Sequence, residues 1–398
     1  MSAAEIATPP RVGWAPPNQV LPCLMVVAVL AGLGTGFLTE APNRLVSGAP
    51  VMLWSAASGL CSAAFAATGI GLFALSFAAP RRSLHCLAAA VAGAALAATL
   101  AAAGDAATKL AVSAPPAAAI SLGTGFWLIV ACVALALIDS LRRAEASAPV
   151  QLVVVVLAVA CFWLMAKAGL FDALALAREY ASRREAFAAA VLRHVELVAA
   201  AIVPALVIGV PLGLLALRKK RAEASIFAVL NLVQTVPSIG LFGLLIAPLS
   251  GLASAFPVLG ALGVGGVGPT PAIIALVLYA LLPVARSTLA GIGSVSPAAI
   301  DAARGVGMTK RQVFWQVEAP LALPVLLAGL RIVTVQAIGL AVVAALIGAG
   351  GLGAFVFDGL GQDATSLVLL GALPAIVLAL AVDFLLRLAS NGLRRSTR

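Results

Sequence analysis

Along most of this chain, apolar residues neither alternate with polar ones nor recur every third or fourth place. They run unbroken for about 20 residues at a time, the length a helix needs to cross the hydrocarbon core of a bilayer. Ten such runs lie near 20–39, 53–79, 84–103, 118–138, 150–171, 196–217, 226–249, 271–291, 325–348 and 366–387. Strands of a membrane barrel would alternate lipid-facing and lumen-facing positions, and these runs are apolar all round. The pattern predicts an all-α integral membrane protein with about ten transmembrane helices. From Ala224 to Ala285 there is no charged residue, a stretch too long for one span. The piece GLASAFPVLGALGVGGVGPTP, rich in Gly and Pro, divides it in two.

Composition sharpens this picture. Of 398 residues, 63% are hydrophobic and 10% charged, against about 25% charged in an ordinary soluble domain. The net charge of +10 comes mostly from short loops between apolar runs, so it reports topology and not a nucleic-acid partner. With the amino terminus inside, the cytoplasmic side collects Arg11, Arg81, Arg82, Arg142, Arg143, the run Arg218 to Arg221, the region from Arg286 to Arg311, and Arg394, Arg395 and Arg398. Both termini are then cytoplasmic. Outside lie Arg44, Lys109 and one cluster, Arg178, Arg183, Arg184 and Arg193. That cluster sits in LAREYASRREAFAAAVLRHVEL, which reads either as an amphipathic helix on the outer surface or as a solvated linker. It separates three expected regions: a five-span accessory region 1–171, an external linker 172–195 and a core 196–398.

Other chemistry is sparse. The first 19 residues are polar and Pro-rich, and Gly32 to Thr39 offers no small-x-small cleavage site, so the first run is expected to be a retained span. The five cysteines form no CxxC pair, and His85 and His194 are far apart, so no metal site is expected. No GxxxxGK[ST], HExxH or GxSxG occurs. The chain is therefore expected to be non-catalytic and to bind no cofactor itself. The letters GAGGLG (348–353) fit GxGxxG but follow a membrane span instead of a strand, and read as a tight turn or close helix packing. Asp139, Lys167, Glu196, Arg331 and Asp383 lie in or near spans, mostly within reach of an interface by snorkelling.

Two polar features interrupt the apolar pattern. Asn231, Gln234, Thr235 and Ser238 are spaced i, i+3, i+4, i+7 and would share one helix face, with Pro237 able to bend the helix. The stripe reads as the lining of a pathway for a small polar solute, or as hydrogen bonding between helices. The second feature is DAARGVGMTKRQVFWQVEAPLALP (301–324). Ser296-Pro297 is a helix start, and Gly305 and Gly307 break that helix. Thr309 with Gln312 is a capping box opening a second short helix, which Pro320 and Pro324 are expected to end. Val313, Phe314 and Trp315 offer an apolar anchor. The element reads as a docking surface for a cytoplasmic partner or as an interfacial helix resting on lipid headgroups.

Those residues carry a resemblance. Asp301-Ala302-Ala303, Gly307 after three further residues, then Val317 and Pro320, resemble the EAA loop of ABC-importer permeases, with Asp for Glu, Val for Ile and Ala319 for Leu. TPAIIALVLYALLPVARSTLAGI, QTVPSIGLFGLLI and ALIGAGGLG look like permeases of the glycine betaine/carnitine/choline class over roughly 190–398, and the extra spans before them resemble the longer variety of osmoprotectant permease. The resemblance implies a type I ABC importer permease core in the carboxy-terminal half. It implies that Asp301, Ala302, Ala303, Gly307, Val317 and Pro320 couple the chain to an ATP-binding cassette subunit present in two copies, which would hold ATP and Mg. It further implies a second permease copy or paralogue, a periplasmic solute-binding protein, and a site in the bacterial inner (plasma) membrane among its lipids. The alternatives are an ion-gradient-driven secondary transporter, an ABC permease for a different small solute, and a non-transporting scaffold or sensor.

Overall fold

The computed structural model describes residues 18–396 apart from 44, 45, 47, 57, 58 and 116, so Arg11, Arg44 and Arg398 lie outside the described residues. The chain divides into two compact units, one ending at Arg178 and the other beginning at Glu179.

The first unit runs α1 (Val20–Gly34), β1 (Leu38–Ala41), β2 (Ala49–Val51), a one-turn α2 (Leu53–Ala56), α3 (Gly59–Ser76), α4 (Arg82–Ser113), β3 (Ala119–Leu122), α5 (Thr124–Arg143) and α6 (Ala148–Lys167). Its core is built largely from alanine. Ala88, Ala92, Ala95, Ala102, Ala103 and Ala106 of α4 are buried, and small residues let membrane helices approach closely where no hydrophobic force favours one apolar neighbour over another. Ile129, Val133 and Ala136 of α5 and Leu21, Met25 and Ala28 of α1 complete it. By contrast, α6 buries none of its residues.

Three short strands form an antiparallel sheet in the order β2-β1-β3, with Thr39 opposite Ser121 and Pro50. This corrects two of the expected spans. The first helix stops at Gly34, about 22 Å long and short of a bilayer core of about 30 Å. The run 118–138 begins as a strand, and its helix starts only at Thr124.

The second unit opens within α7 (Ala175–Ser182) and continues through α8 (Arg184–Arg218), α9 (Lys220–Thr235), α10 (Ser238–Ala255), a short α11 (Pro257–Ala261), α12 (Pro269–Gly293), α13 (Pro297–Gly305), α14 (Lys310–Val313), α15 (Ala319–Val343), α16 (Leu352–Gly361) and α17 (Thr365–Ser396). The stretch expected as one linker over 172–195 is interrupted at Arg183, and from Arg184 onward it is the first three turns of α8. Its cations have partners: Arg183 pairs with Glu179 at 3.0 Å, Arg184 lies over the Tyr180 ring, and Arg193 pairs with Glu196.

The centre of this unit is α12, with thirteen buried residues packed mainly against α8 and α15. The α8–α12 contact is close because Gly209 and Gly213 face it. A Cβ on Gly213 would stand 2.5 Å from the Ala285 carbonyl oxygen and 2.7 Å from Thr288 Cβ. Nine helices among the described residues are long and apolar enough to cross a membrane.

The glycines of GAGGLG make the turn between α15 and α16. Gly348, Gly350 and Gly351 have φ of 77, 78 and 80°, a region that disfavours any side chain with a Cβ. Arg193 Nε donates to the Ala349 carbonyl of this turn at 3.3 Å, and buried His194 Nε2 lies 3.1 Å from the Ile338 carbonyl of α15. One set of charged groups pairs between spans. Arg331 meets Asp383 at 3.2 Å, and Asp383 also holds Arg387, linking α15 to α17.

Candidate functional site

Two polar places stand out in the second unit. The first is the loop between α12 and α15. Pro297 occupies the first turn of α13, where its missing N–H costs nothing. The helix ends at Gly305, and Gly307 takes φ 88°, which turns the chain toward the next helix. At Thr309 the expected capping box is present in full: its hydroxyl accepts from the Gln312 N–H, and the Gln312 side chain accepts from the Thr309 N–H at 2.8 Å.

The second helix of this loop departs from expectation. Pro320 and Pro324 do not end it. Residues 314–318 form a π turn, and the helix runs on into α15, so that Lys310–Ile347 is one helical rod of 38 residues, polar at its start and closing in a 3-10 turn at Ala344–Ile347. The π turn pairs the Ala319 N–H with the Phe314 carbonyl, one residue wider than an α turn. Pro320 follows directly, and the widened turn accommodates its ring and its missing N–H within the continuing helix.

The loop has an inner and an outer face. Ala303 and Val313 are buried, and Phe314 packs toward Ile292, Val295 and Ala322. These contacts bind the loop to the ends of α12 and α15. Facing out are Asp301, Ala302, Arg304, Gly305, Val306, Gly307 and Pro320, with Val317 half-buried. Val306 is 77% exposed and Trp315 64%, both large apolar groups on a segment otherwise polar. Asp301 and Arg304 pair loosely at 3.6 Å across one turn. The expected apolar anchor therefore splits: Val313 and Phe314 hold the loop to its own unit, and Trp315 is presented outward.

The second place is the seam between α9 and α12. The four-residue stripe does not lie on one helix. Helix α9 ends at Thr235, Val236 and Pro237 are extended, and Ser238 opens α10. The cause is Pro237, which pushes the residue before it out of the helical region; Val236 accordingly has ψ 128°. Asn231, Gln234 and Thr235 remain together on α9. Ser238 belongs to a new helix.

The opened backbone is stitched by α12. Gln234 Nε2 donates to the Tyr279 carbonyl at 2.8 Å, and the Tyr279 hydroxyl donates to the Val236 carbonyl. Asn231 Oδ1 accepts from Arg286 at 3.1 Å, and the Arg286 guanidinium lies over the Phe227 ring. Asn231 and Thr235 are exposed on the unit's surface, whereas Gln234 and Ser238 are half-buried. Tyr279 and Arg286 are members of this seam that sequence reading missed. Their partners lie 43 and 55 residues away, and nothing local marks them. Tyr279→Phe removes the donor to Val236 and is expected to cost about 0.5–1.5 kcal/mol, read as a lowered unfolding midpoint with the secondary structure unchanged.

A multi-spanning membrane protein with a helix-turn-helix loop projecting from its carboxy-terminal unit has the build of a transport subunit. Residues 205–395 match the family described as binding-protein-dependent transport system inner membrane component, and residues 17–177 match the N-terminal domain of ABC transporter permease YehY. The chain is 40% identical over 198 residues to the osmoprotectant import permease protein OsmW of Salmonella typhimurium, covering 49% of this chain and 85% of that one. It is 36% identical over 200 residues to the choline transport system permease protein OpuBB of Bacillus subtilis, covering 50% and 85%. To the carnitine transport permease protein OpuCB of Listeria monocytogenes it is 39% identical over 194 residues, covering 49% and 82%. Among solved structures, the inward-facing MetNI methionine ABC transporter aligns with a TM-score of 0.46 at 21% identity, over 53% of this chain and 98% of that one. The chain belongs to the family of ABC-importer permeases, the non-catalytic membrane subunits of binding-protein-dependent transport systems.

Proposed function

We propose that this chain is the permease through which an ATP-driven importer moves glycine betaine, choline, carnitine or a related quaternary ammonium solute. The observation that supports it is the outward face of the 296–320 loop, combined with relatives named for those solutes. In this reading an ATP-binding subunit seats against Asp301, Ala302, Val306, Gly307 and Pro320, with buried Ala303 and half-buried Val317 shaping the segment from behind. ATP and Mg belong to that partner. Two copies of the ATPase serve two permeases, and a periplasmic binding protein delivers the solute on the far side, with both termini of this chain cytoplasmic.

Alternating access follows from the loop's construction. ATP binding draws the two ATPases together, the loop moves with its ATPase, and the continuous helix behind it carries the motion to the seam of α9, α10 and α12. Nucleotide favours one state because it binds that state more tightly, and this difference is the limit of what it can drive. Asn231, Gln234, Thr235 and Ser238 contribute polar groups near the path. Residues 196–398 carry transport, and 1–171 form an accessory region. Recognition of a quaternary ammonium by stacked aromatic rings is the task of the binding protein.

Co-expression with the cognate ATPase and binding protein, followed by uptake of radiolabelled betaine, choline and carnitine, tests this. The expected result is co-purification of the ATPase and ATP-dependent uptake of at least one of the three. Uptake that persists without any ATPase identifies an ion-driven carrier instead.

A further inference from the structure

The first unit holds a feature that transport by the second does not use. Between α4, α5 and α6 lies an apolar cavity of about 530 Å³. One wall is a stripe on α4 at Cys86, Ala90, Gly93 and Ala97, spaced to share a face. Opposite stand Leu141 of α5 and Val154 and Cys161 of α6. Helix α6 touches α4 but buries no residue of its own, so it covers the slot only loosely.

The slot has one polar end. Arg82 lines it there, its Nε donating to the Ala144 carbonyl at 3.0 Å, which fixes the guanidinium at the mouth. Arg81 and Arg142 are exposed beside it, and Arg143 is paired with Asp139. Four arginines against Asp139 and Glu145 leave this end with an excess of two positive charges.

The dimensions decide what fits. From Arg82 to Leu100 the α4 wall is about 27 Å long. Over that length a helix about 10 Å wide would need about 2,100 Å³, more than the roughly 1330 Å³ of all empty space in and around the slot. A partner helix is too thick, whereas a single hydrocarbon chain is thin enough, and the slot is longer than the leaflet of about 15 Å that such a chain spans. We propose that this slot holds one acyl chain of an anionic phospholipid, whose phosphate is bound at the mouth by Arg82 with Arg81 and Arg142. Basic mouths between membrane helices are suited to anionic headgroups because the attraction acts at short range in a medium of low polarity.

Gly93 supplies a clean test, because a Cβ there would meet nothing within 4 Å. Gly93→Leu therefore fills the slot without straining the backbone, and leucine favours helix over glycine. The full-length chain, stripped of annular lipid in detergent, is offered equal phosphatidylglycerol and phosphatidylcholine of the same acyl length, and bound lipid is counted by native mass spectrometry. The expected result is one retained lipid, with phosphatidylglycerol preferred at least fivefold. Gly93→Leu loses that lipid whatever its headgroup. The pair Arg82→Gln with Arg142→Gln keeps a lipid but brings the preference close to one. No retained lipid, equal retention of the two headgroups in the unaltered chain, or retention in Gly93→Leu overturns the proposal. Should Gly93→Leu fail to fold, the arginine pair decides alone, and an unchanged preference for phosphatidylglycerol overturns it.

Discussion

Gly213→Leu is expected to leave little folded protein in the membrane. The position faces α12, where the first added carbon would already stand 2.5 Å from the Ala285 carbonyl oxygen and 2.7 Å from Thr288 Cβ. The nearest obstacle is backbone, which cannot rotate aside, so the two most intimately packed helices of the unit must separate. Overpacking a well-filled site costs about 1–3 kcal/mol where side chains can adjust, and here the upper end or more is expected. The check is the thermal midpoint of the detergent-solubilised chain and its yield from membranes. Gly243→Ala in α10 is the control: no atom lies within 4 Å of the Cβ it would gain, and relief from glycine's poor helix propensity is worth up to about 1 kcal/mol. Equal midpoints for Gly213→Leu and the unaltered chain would show that α8 and α12 do not pack as described.

The second large effect is expected at Val306. This side chain is 77% exposed and contributes nothing to the burial of its own unit. Val306→Asp should therefore leave the midpoint within about 0.5 kcal/mol of its former value, as surface changes usually do. In the importer reading it nonetheless places an unpaired charge in the centre of the contact with the ATPase. A carboxylate desolvated without a partner commonly costs several kcal/mol, enough to reduce association more than a hundredfold. Co-purification of the ATPase and ATP-driven uptake should both fall to background in a chain that still folds. Ala303 is a poorer choice for this test. It is 7% exposed, and a larger residue there would dismantle the loop itself. Undiminished uptake by Val306→Asp would remove this face from the coupling surface.

Most of the spans were legible because a lipid-facing helix must be apolar along its whole length, and nothing else produces such runs. The capping box at Thr309 was legible for a similar reason, since both partners lie within four residues of each other. What escaped was long-range. The strands β1 and β3 are four residues each, and the pairing of Thr39 with Ser121 joins positions 82 apart; strands so short vanish inside the apolar runs beside them. The α9–α12 seam escaped in part. Pro237 was visible, but whether it bends a helix or ends one depends on whether a neighbour satisfies the freed carbonyl. Here the helix ends at Thr235, and Tyr279 of α12 donates to the Val236 carbonyl that the ended helix leaves open.

The π turn at 314–318 sets a mechanical consequence. It lets the loop flow into the span, so Lys310–Ile347 is one helical run about 57 Å long, with the π turn near its foot as the place where it can bend. Tilting the 29 residues above that turn by about 10° would sweep their far tip through about 8 Å, given a rise of about 1.5 Å per residue. That tip is the glycine turn at 348–351, held by Arg193 of α8. In the importer reading, a small stroke at the loop would become a larger one at the glycine turn.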